Sequence, residues 1–159
     1  MAINLAALHG NIDREVAALA AFIDTLRADQ AALVRGESER IAEFAAPKSN
    51  HLFELTRLGD ERGRLLIAAG HSTDRAGMER CLFECGGSAA GARNAWQKLL
   101  ALTADAQRTN TTNGIIISTR LQHTQRALSS IFTSARIPGA YGADGNTVSL
   151  RTTQQLAVA

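Results

Sequence analysis

Apolar side chains recur every three or four residues through the first part of the chain. This spacing is that of one face of an α-helix, and it predicts a first helix over about residues 3–34. Charged residues, including Glu15 and Asp29, fill the other positions, so we expect them to face solvent. Gly36 follows, and because glycine tolerates the left-handed conformation, we expect the helix to end there. The apolar positions are Leu5, Leu8, Ile12, Val16, Leu19, Phe22, Ile23, Leu26 and Leu33.

A second helical pattern runs from about Ser38 to Ala69. Pro47 lies inside it, and an interior proline removes one backbone hydrogen bond, so we expect a kink or a separate first segment. The connection at Gly36 is short, which requires the first two helices to run antiparallel. The apolar positions are Ile41, Phe44, Ala45, Leu52, Leu55, Leu58, Leu65 and Leu66.

A third, short helix is predicted from about Asp74 to Cys85, after a turn that contains Gly70. Gly86 and Gly87 are placed to end this helix, and we expect Ser88 to cap the next one. The side chains expected to be buried are Met78, Cys81, Leu82 and Cys85.

The most regular pattern predicts a long helix from Ser88 to Ser134, with apolar positions at heptad spacing. The middle of this seam is polar, because Thr103, Asn110 and Asn113 occupy core positions. Either the partner helices end at this stretch, or the asparagines fix the register between helices. The seam comprises Trp96, Leu99, Thr103, Ala106, Asn110, Asn113, Ile117, Leu121, Thr124, Leu128, Ile131 and Ala135.

Beyond residue 135 the helical period stops, and turn-forming residues dominate from Ile137 to Asn146. We therefore predict an all-α protein: an antiparallel long-helix bundle or coiled-coil hairpin over residues 1–135, with a long C-terminal helix. Residues 136–159 are expected to form a flexible tail that orders on a partner.

Composition and charge narrow the possible functions. Aromatic residues make up only 4 %, so the core must consist mainly of Ala, Leu and Ile. The longest apolar run, Val16 to Ile23, is far shorter than a bilayer span, and the N-terminus lacks the basic region of a signal peptide. We therefore expect a cytoplasmic protein without membrane insertion. Residues 1–80 carry 10 Lys and Arg against 12 Asp and Glu, whereas residues 81–159 carry 7 Lys and Arg against 3 Asp and Glu, so the second half of the chain is basic.

Residues able to carry chemistry are few and scattered. The four histidines lie in different segments. Cys81 and Cys85 share a helix face, but zinc usually needs four ligands and the sequence supplies no convincing others, so we interpret both as buried thiols. No phosphate-binding glycine loop with its lysine occurs. We expect neither an enzyme nor a protein that needs a cofactor or metal.

Several short stretches, taken in order, resemble those of a known family. They are Leu33 to Glu37 after the first helix, Asn110-x-x-Asn113-Gly114-Ile115-Ile116-Ile117 in the long helix, Gln125-x-x-Leu128 after it, and Tyr141-Gly142-x-Asp144-Gly145 in the tail. Together they make the chain similar to the FlgN-type flagellar export chaperones.

This resemblance implies a cytoplasmic chaperone of type III secretion. Such a protein binds the C-terminal helices of the hook-associated junction proteins and delivers them to the export apparatus without hydrolysing ATP itself. It also implies that the cargo-binding residues are Ile117, Leu121, Leu128, Ile131 and Phe132, with Tyr141 as a contact for cargo or the export gate.

Two other functions compete with this hypothesis. The heptad seam could instead form a coiled-coil homodimer that acts as a scaffold without an export role. The basic second half could bind nucleic acid or another anion, in which case binding would depend steeply on salt.

Overall fold

The structure, a computed structural model, describes the backbone of residues 3–134 and the side chains of residues 3–131. The predicted tail of residues 136–159, with Tyr141, lies outside the described residues, and the domain boundary at residue 135 stays a prediction. All regular structure within residues 3–134 is helical, which confirms the all-α fold class. The helices are α1 (Leu5–Arg35), α2 (Ser38–Glu43), α3 (Ala45–Ala68), α4 (Arg75–Glu84), a 3₁₀ turn (Gly86–Ala89) and α5 (Ala90–Ser134).

The chain divides into two compact units, residues 1–116 and residues 117–159. The first, called the core unit here, contains α1 to α4 and the first part of α5. The second unit contains the rest of α5.

Helix α1 begins and ends at the signals that the sequence contains. The side chain of Asn4 accepts a hydrogen bond from the backbone N–H of Ala7 at 3.1 Å, which caps the first turn. Gly36 adopts a left-handed conformation with φ of 74°, and the N–H of Glu37 donates to the carbonyl of Ala32 at 3.1 Å. This Schellman-type ending confirms that Gly36 terminates α1.

The second predicted helix is broken, as Pro47 indicated, but the break lies at Phe44. Pro47 is the third residue of α3, where its missing N–H has no helical partner to lose. The short α2 is therefore a separate first segment, and α3 forms the second long arm of the hairpin.

Polar contacts fix α3 antiparallel to α1, as predicted. Arg62 donates to Glu15 at 2.6 Å, and Lys48 donates to Asp29 at 2.7 Å, so residue numbers rise along one helix as they fall along the other. The expectation that Glu15 and Asp29 face solvent is wrong, since they are 5 % and 2 % exposed. Both can be buried because α3 supplies a cation for each.

Helix α5 packs on the other side of α1 and runs parallel to it within the core unit. His9 of α1 lies against Gly91, where a Cβ atom would come within 2.8 Å of the imidazole. Further along, the side-chain amide of Asn113 donates to the carbonyl of Leu26 at 3.0 Å. Asn113 is 3 % exposed, so this asparagine makes a buried contact between helices, as the register explanation requires. Asn110, in contrast, is exposed.

The apolar core lies where these helices meet. It includes Leu8 and Ile12 of α1, Leu66 of α3, and Trp96 and Leu99 of α5. The predicted burial of Met78, Cys81 and Leu82 in α4 is confirmed, while Cys85 is half-buried.

The expectations for Leu52 and for Ser88 were also wrong. Leu52, assigned to the apolar stripe of the second helix, is 53 % exposed. The buried face of α3 contains Leu58 and Leu66 instead. Ser88 does not cap α5, since a 3₁₀ turn intervenes and the Ser88 hydroxyl donates back to the carbonyl of Cys85 at 2.6 Å.

We predict that Lys48→Ala destabilises the protein by about 3–5 kcal/mol, because it leaves the buried Asp29 carboxylate without its cation. Urea unfolding followed by circular dichroism measures this. The control is Arg75→Ala, which removes an exposed pair with Glu79 and should cost at most about 1 kcal/mol. Equal small losses in both variants would contradict the structural role of the Asp29–Lys48 pair.

Candidate interaction surface

A row of large apolar side chains is exposed along the C-terminal part of α5. Ile117, Leu121, Leu128 and Ile131 are 51 %, 57 %, 49 % and 61 % exposed. At 100° per residue these four fall within a sector of about 80° on the helix surface. We call these four residues the α5 stripe.

The same sequence pattern has two outcomes in α5. Leu99, Ala106 and Asn113 occupy seam positions that the core unit buries, whereas the seam positions from Ile117 to Ile131 are exposed. Heptad spacing identified both groups of residues. It could not tell which positions the chain covers with its own helices, since the spacing is the same in both.

The rest of this segment is also open to solvent. Every residue from 117 to 131 is exposed. Thr124 lies in the middle of the stripe, and its hydroxyl donates to the carbonyl of Arg120 at 3.1 Å, which leaves its methyl group available for packing.

Four of the six cargo-binding residues predicted from the sequence are thus placed together on one face. The side chain of Phe132 and all of Tyr141 lie outside the described residues. The predicted set omitted Thr124, which the heptad pattern did contain, and Ile115, which is 60 % exposed and continues the apolar character at the start of the segment.

The charged residues of the segment are all basic, because residues 106–131 contain no Asp or Glu. Arg120 and Arg126 are the charged residues between 117 and 131. They are six positions apart, which separates them by about 120° around the helix. The segment therefore carries positive charge without a continuous basic face.

The core unit has exposed apolar residues too, but they do not form such a row. Phe83 is 81 % exposed beside a cleft of about 400 Å³ that Leu82, Arg93 and Trp96 also line. Arg93 is held there by hydrogen bonds to the carbonyls of Leu82 and Gly86 at 3.1 and 3.3 Å. On α3, Phe53 is also exposed.

Cys81 and Cys85 are both free thiols. Cys81 is fully buried, and this burial, together with the neighbouring Cys85, raises the pKa of its thiol to about 11. Within residues 3–131, no three His, Cys, Asp or Glu side chains are arranged to hold a metal ion.

Across the described helices, no segment combines the length and the apolarity needed to cross a membrane.

Comparison with protein families gives a match over almost the whole chain. The family model described as FlgN protein matches residues 1–149, which includes the α5 stripe. The chain belongs to the FlgN family. This confirms the resemblance seen in the sequence, and it assigns the protein to the chaperones of flagellar protein export. Comparisons with curated proteins and with solved structures gave no match.

We predict that Cys81 resists alkylation in the native FlgN-family protein, because the thiolate is the reactive form and burial disfavours it. At mildly alkaline pH, iodoacetamide should modify the half-buried Cys85 first, as measured by mass spectrometry of the digested protein. Both cysteines should react in urea, which serves as the control. Equal rates in the native protein would show that Cys81 is accessible and is not a core thiol.

Proposed function

We propose that this protein is a cytoplasmic chaperone that binds the C-terminal helices of hook-associated junction proteins and delivers them to the type III export apparatus. The α5 stripe, with Phe132, is the proposed cargo-binding surface. The observation that carries the proposal is the exposure of four heptad-spaced aliphatic side chains on a member of the FlgN family.

The physical basis is burial of apolar surface between two helices. An amphipathic helix with apolar residues three and four apart would lie along the stripe and cover it. Removing one aliphatic side chain fully from water contributes about 1.5–3 kcal/mol, and the stripe residues are already about half covered by their own helix. The gain is therefore moderate for each residue, which suits a complex that must release its cargo at the export apparatus.

Tyr141 is proposed as an additional contact, either for cargo or for the export gate. It lies outside the described residues but inside the part of the chain that the family model matches. Its role can be tested separately from that of the stripe, because the two are in different segments of the sequence.

The charge distribution argues against a nucleic-acid-binding function. Such proteins place Lys and Arg on one continuous surface that follows the phosphate backbone. In residues 117–131, Arg120 and Arg126 lie about 120° apart around the helix. The continuous surface in this segment is the apolar α5 stripe.

We predict that Leu128→Asp weakens binding of hook-associated proteins from the same genome by about 100-fold or more, because a carboxylate would have to be desolvated at the centre of the contact. Calorimetric titration measures the affinity, and circular dichroism checks that helix content is unchanged. Gln122→Asp is the matched control, since it adds the same charge to the same helix about 120° away from Leu128. It should bind like the unmodified protein.

Two results would overturn this assignment. Unchanged affinity of the Leu128→Asp variant would exclude the α5 stripe as the cargo site. Absence of any complex between the unmodified protein and the hook-associated proteins would reject that class of cargo.

A further inference from the structure

The cleft beside Phe83 has the size and the composition of a binding site. Its volume is about 400 Å³, and ligand sites in proteins start at about 300 Å³. Helix α4 contributes Leu82 and Phe83 to its walls, and α5 contributes Arg93, Trp96 and Gln97. Apolar walls with a few polar groups are typical of sites that bind a specific ligand. We call this feature the Phe83 cleft.

The apolar part of the Phe83 cleft is incompletely covered. Phe83 is 81 % exposed, although Leu82 and Trp96 beside it are 2 % and 5 % exposed. An apolar side chain placed against Phe83 would remove aromatic surface from water, which favours binding. The cleft therefore suits a ligand that contributes an aromatic or branched aliphatic group.

The polar part of the cleft is a guanidinium that is already held in place. The Nη2 group of Arg93 donates to the carbonyls of Leu82 and Gly86 at 3.1 and 3.3 Å. Within residues 3–131, no acceptor pairs with Nε or Nη1 of Arg93, so these groups can donate to a ligand. Because the side chain is fixed before binding, little of its conformational entropy is lost when the ligand arrives.

The local charge favours an anionic group at Arg93. Glu79 also lines the cleft, but its carboxylate already accepts from Nε of Arg75 at 2.7 Å. Residues 75–98 carry four Lys and Arg against two Asp and Glu. A ligand carboxylate would therefore meet a net positive charge, and its hydrogen bonds to Arg93 would be strengthened by that charge.

The dimensions of the cleft indicate what shape of ligand it takes. The lining residues extend over residues 79–83 of α4 and 93–97 of α5, which is about 6 Å along each helix. A helix that lies in a groove uses side chains up to seven positions apart, or about 10 Å. The cleft is therefore too short for a helix face and has room for one or two side chains.

The exposure of Phe83 distinguishes a chain end from a free small molecule. Small-molecule sites usually cover 70–90 % or more of their ligand, whereas a wall as exposed as Phe83 leaves the cleft open to solvent. A polypeptide can enter such a cleft with its end and continue outside it. Only the C-terminal residue carries a side chain and a backbone carboxylate on one Cα atom, which matches the adjacent Phe83 and Arg93.

From these observations we propose that the Phe83 cleft binds the C-terminal residue of a polypeptide. The last side chain, aromatic or branched aliphatic, packs against Phe83, and the α-carboxylate accepts from Arg93. The amide of Gln97, which has no hydrogen-bond partner within residues 3–131, donates to the last peptide carbonyl. This inference goes beyond the proposed function and does not rest on it, because the cleft belongs to the core unit and the α5 stripe to the second unit.

The test is calorimetric titration of the full-length protein with two synthetic peptides. One is an N-acetylated pentapeptide that ends in phenylalanine with a free carboxylate, and the other has the same sequence with a C-terminal amide. The free acid should bind about 10- to 100-fold more tightly, because the amide loses the charged hydrogen bonds to Arg93.

The decisive variant is Arg93→Gln, titrated with both peptides. A glutamine removes the charge but can still donate to the neighbouring carbonyls. If Arg93 contacts the carboxylate, the preference for the free acid should disappear, whereas a general disturbance of the cleft would weaken both peptides alike. Arg80→Gln is the control, since Arg80 is an exposed arginine of α4 that does not line the cleft. It should keep the preference.

The apolar contact is tested with a second pair of variants. Phe83→Ala should weaken binding of the free acid by about tenfold or more. Phe53→Ala is the matched control, because Phe53 is 76 % exposed on α3 and lies outside the cleft. It should bind the peptide like the unmodified protein. Circular dichroism checks that both variants keep their helix content.

Four outcomes would overturn the proposal: no binding at millimolar peptide, equal affinity for acid and amide, a preference that survives Arg93→Gln, or equal affinities of the two phenylalanine variants. N-acetylphenylalanine that binds as tightly as the pentapeptide would exclude a polypeptide as the occupant and identify a free carboxylic acid instead. The titrations contain no hook-associated protein, so their failure leaves the proposed function standing, and failure of that function leaves the cleft standing.

Discussion

The core unit depends on the burial of α1 on two sides. Apolar residues on this helix face both α3 and α5, and each side also contains buried polar contacts that only one alignment can satisfy. On one side, Asn11 donates to the carbonyl of Leu58 at 3.2 Å, and Glu15 pairs with Arg62. A shift of α3 by one turn would leave these groups buried without partners, at a cost of about 1–3 kcal/mol or more for each. The polar contacts therefore select the register, while the aliphatic residues supply most of the stability.

The sequence predicted those features that depend on local chemistry. The end of α1 follows from the conformational freedom of Gly36, and the separate α2 follows from Pro47. The burial of Glu15 and Asp29 could not be predicted, because their partners are 47 and 19 residues away along the chain. No pattern within α1 indicates which residues those partners are. Ser88 shows a local limit, since a hydroxyl that can cap a helix can equally well donate to the preceding turn.

In the candidate site, too, the sequence predicted one property of the residues and not another. Heptad spacing was enough to place Ile117, Leu121, Leu128 and Ile131 on one face, and the structure confirms this placement. Their exposure was not predictable from spacing, because Leu99 belongs to the same repeat and is buried. Heptad spacing indicates that a helix face will be covered. Whether the same chain or another molecule covers that face depends on the rest of the fold. In this member of the FlgN family, the exposed half of the repeat is the surface that we propose for cargo recognition.

The environment of Trp96 has a practical consequence for spectroscopy. The chain contains one tryptophan and one tyrosine. Trp96 is 5 % exposed in the core unit, with the guanidinium of Arg62 5.1 Å from the centre of its ring. Residues 117–131 contain no aromatic residue apart from His123, so intrinsic fluorescence excited at the tryptophan band reports on the core unit and not on the α5 stripe. The melting of the core and the occupancy of the stripe can thus be followed by separate signals in one sample, with an extrinsic dye on the stripe providing the second.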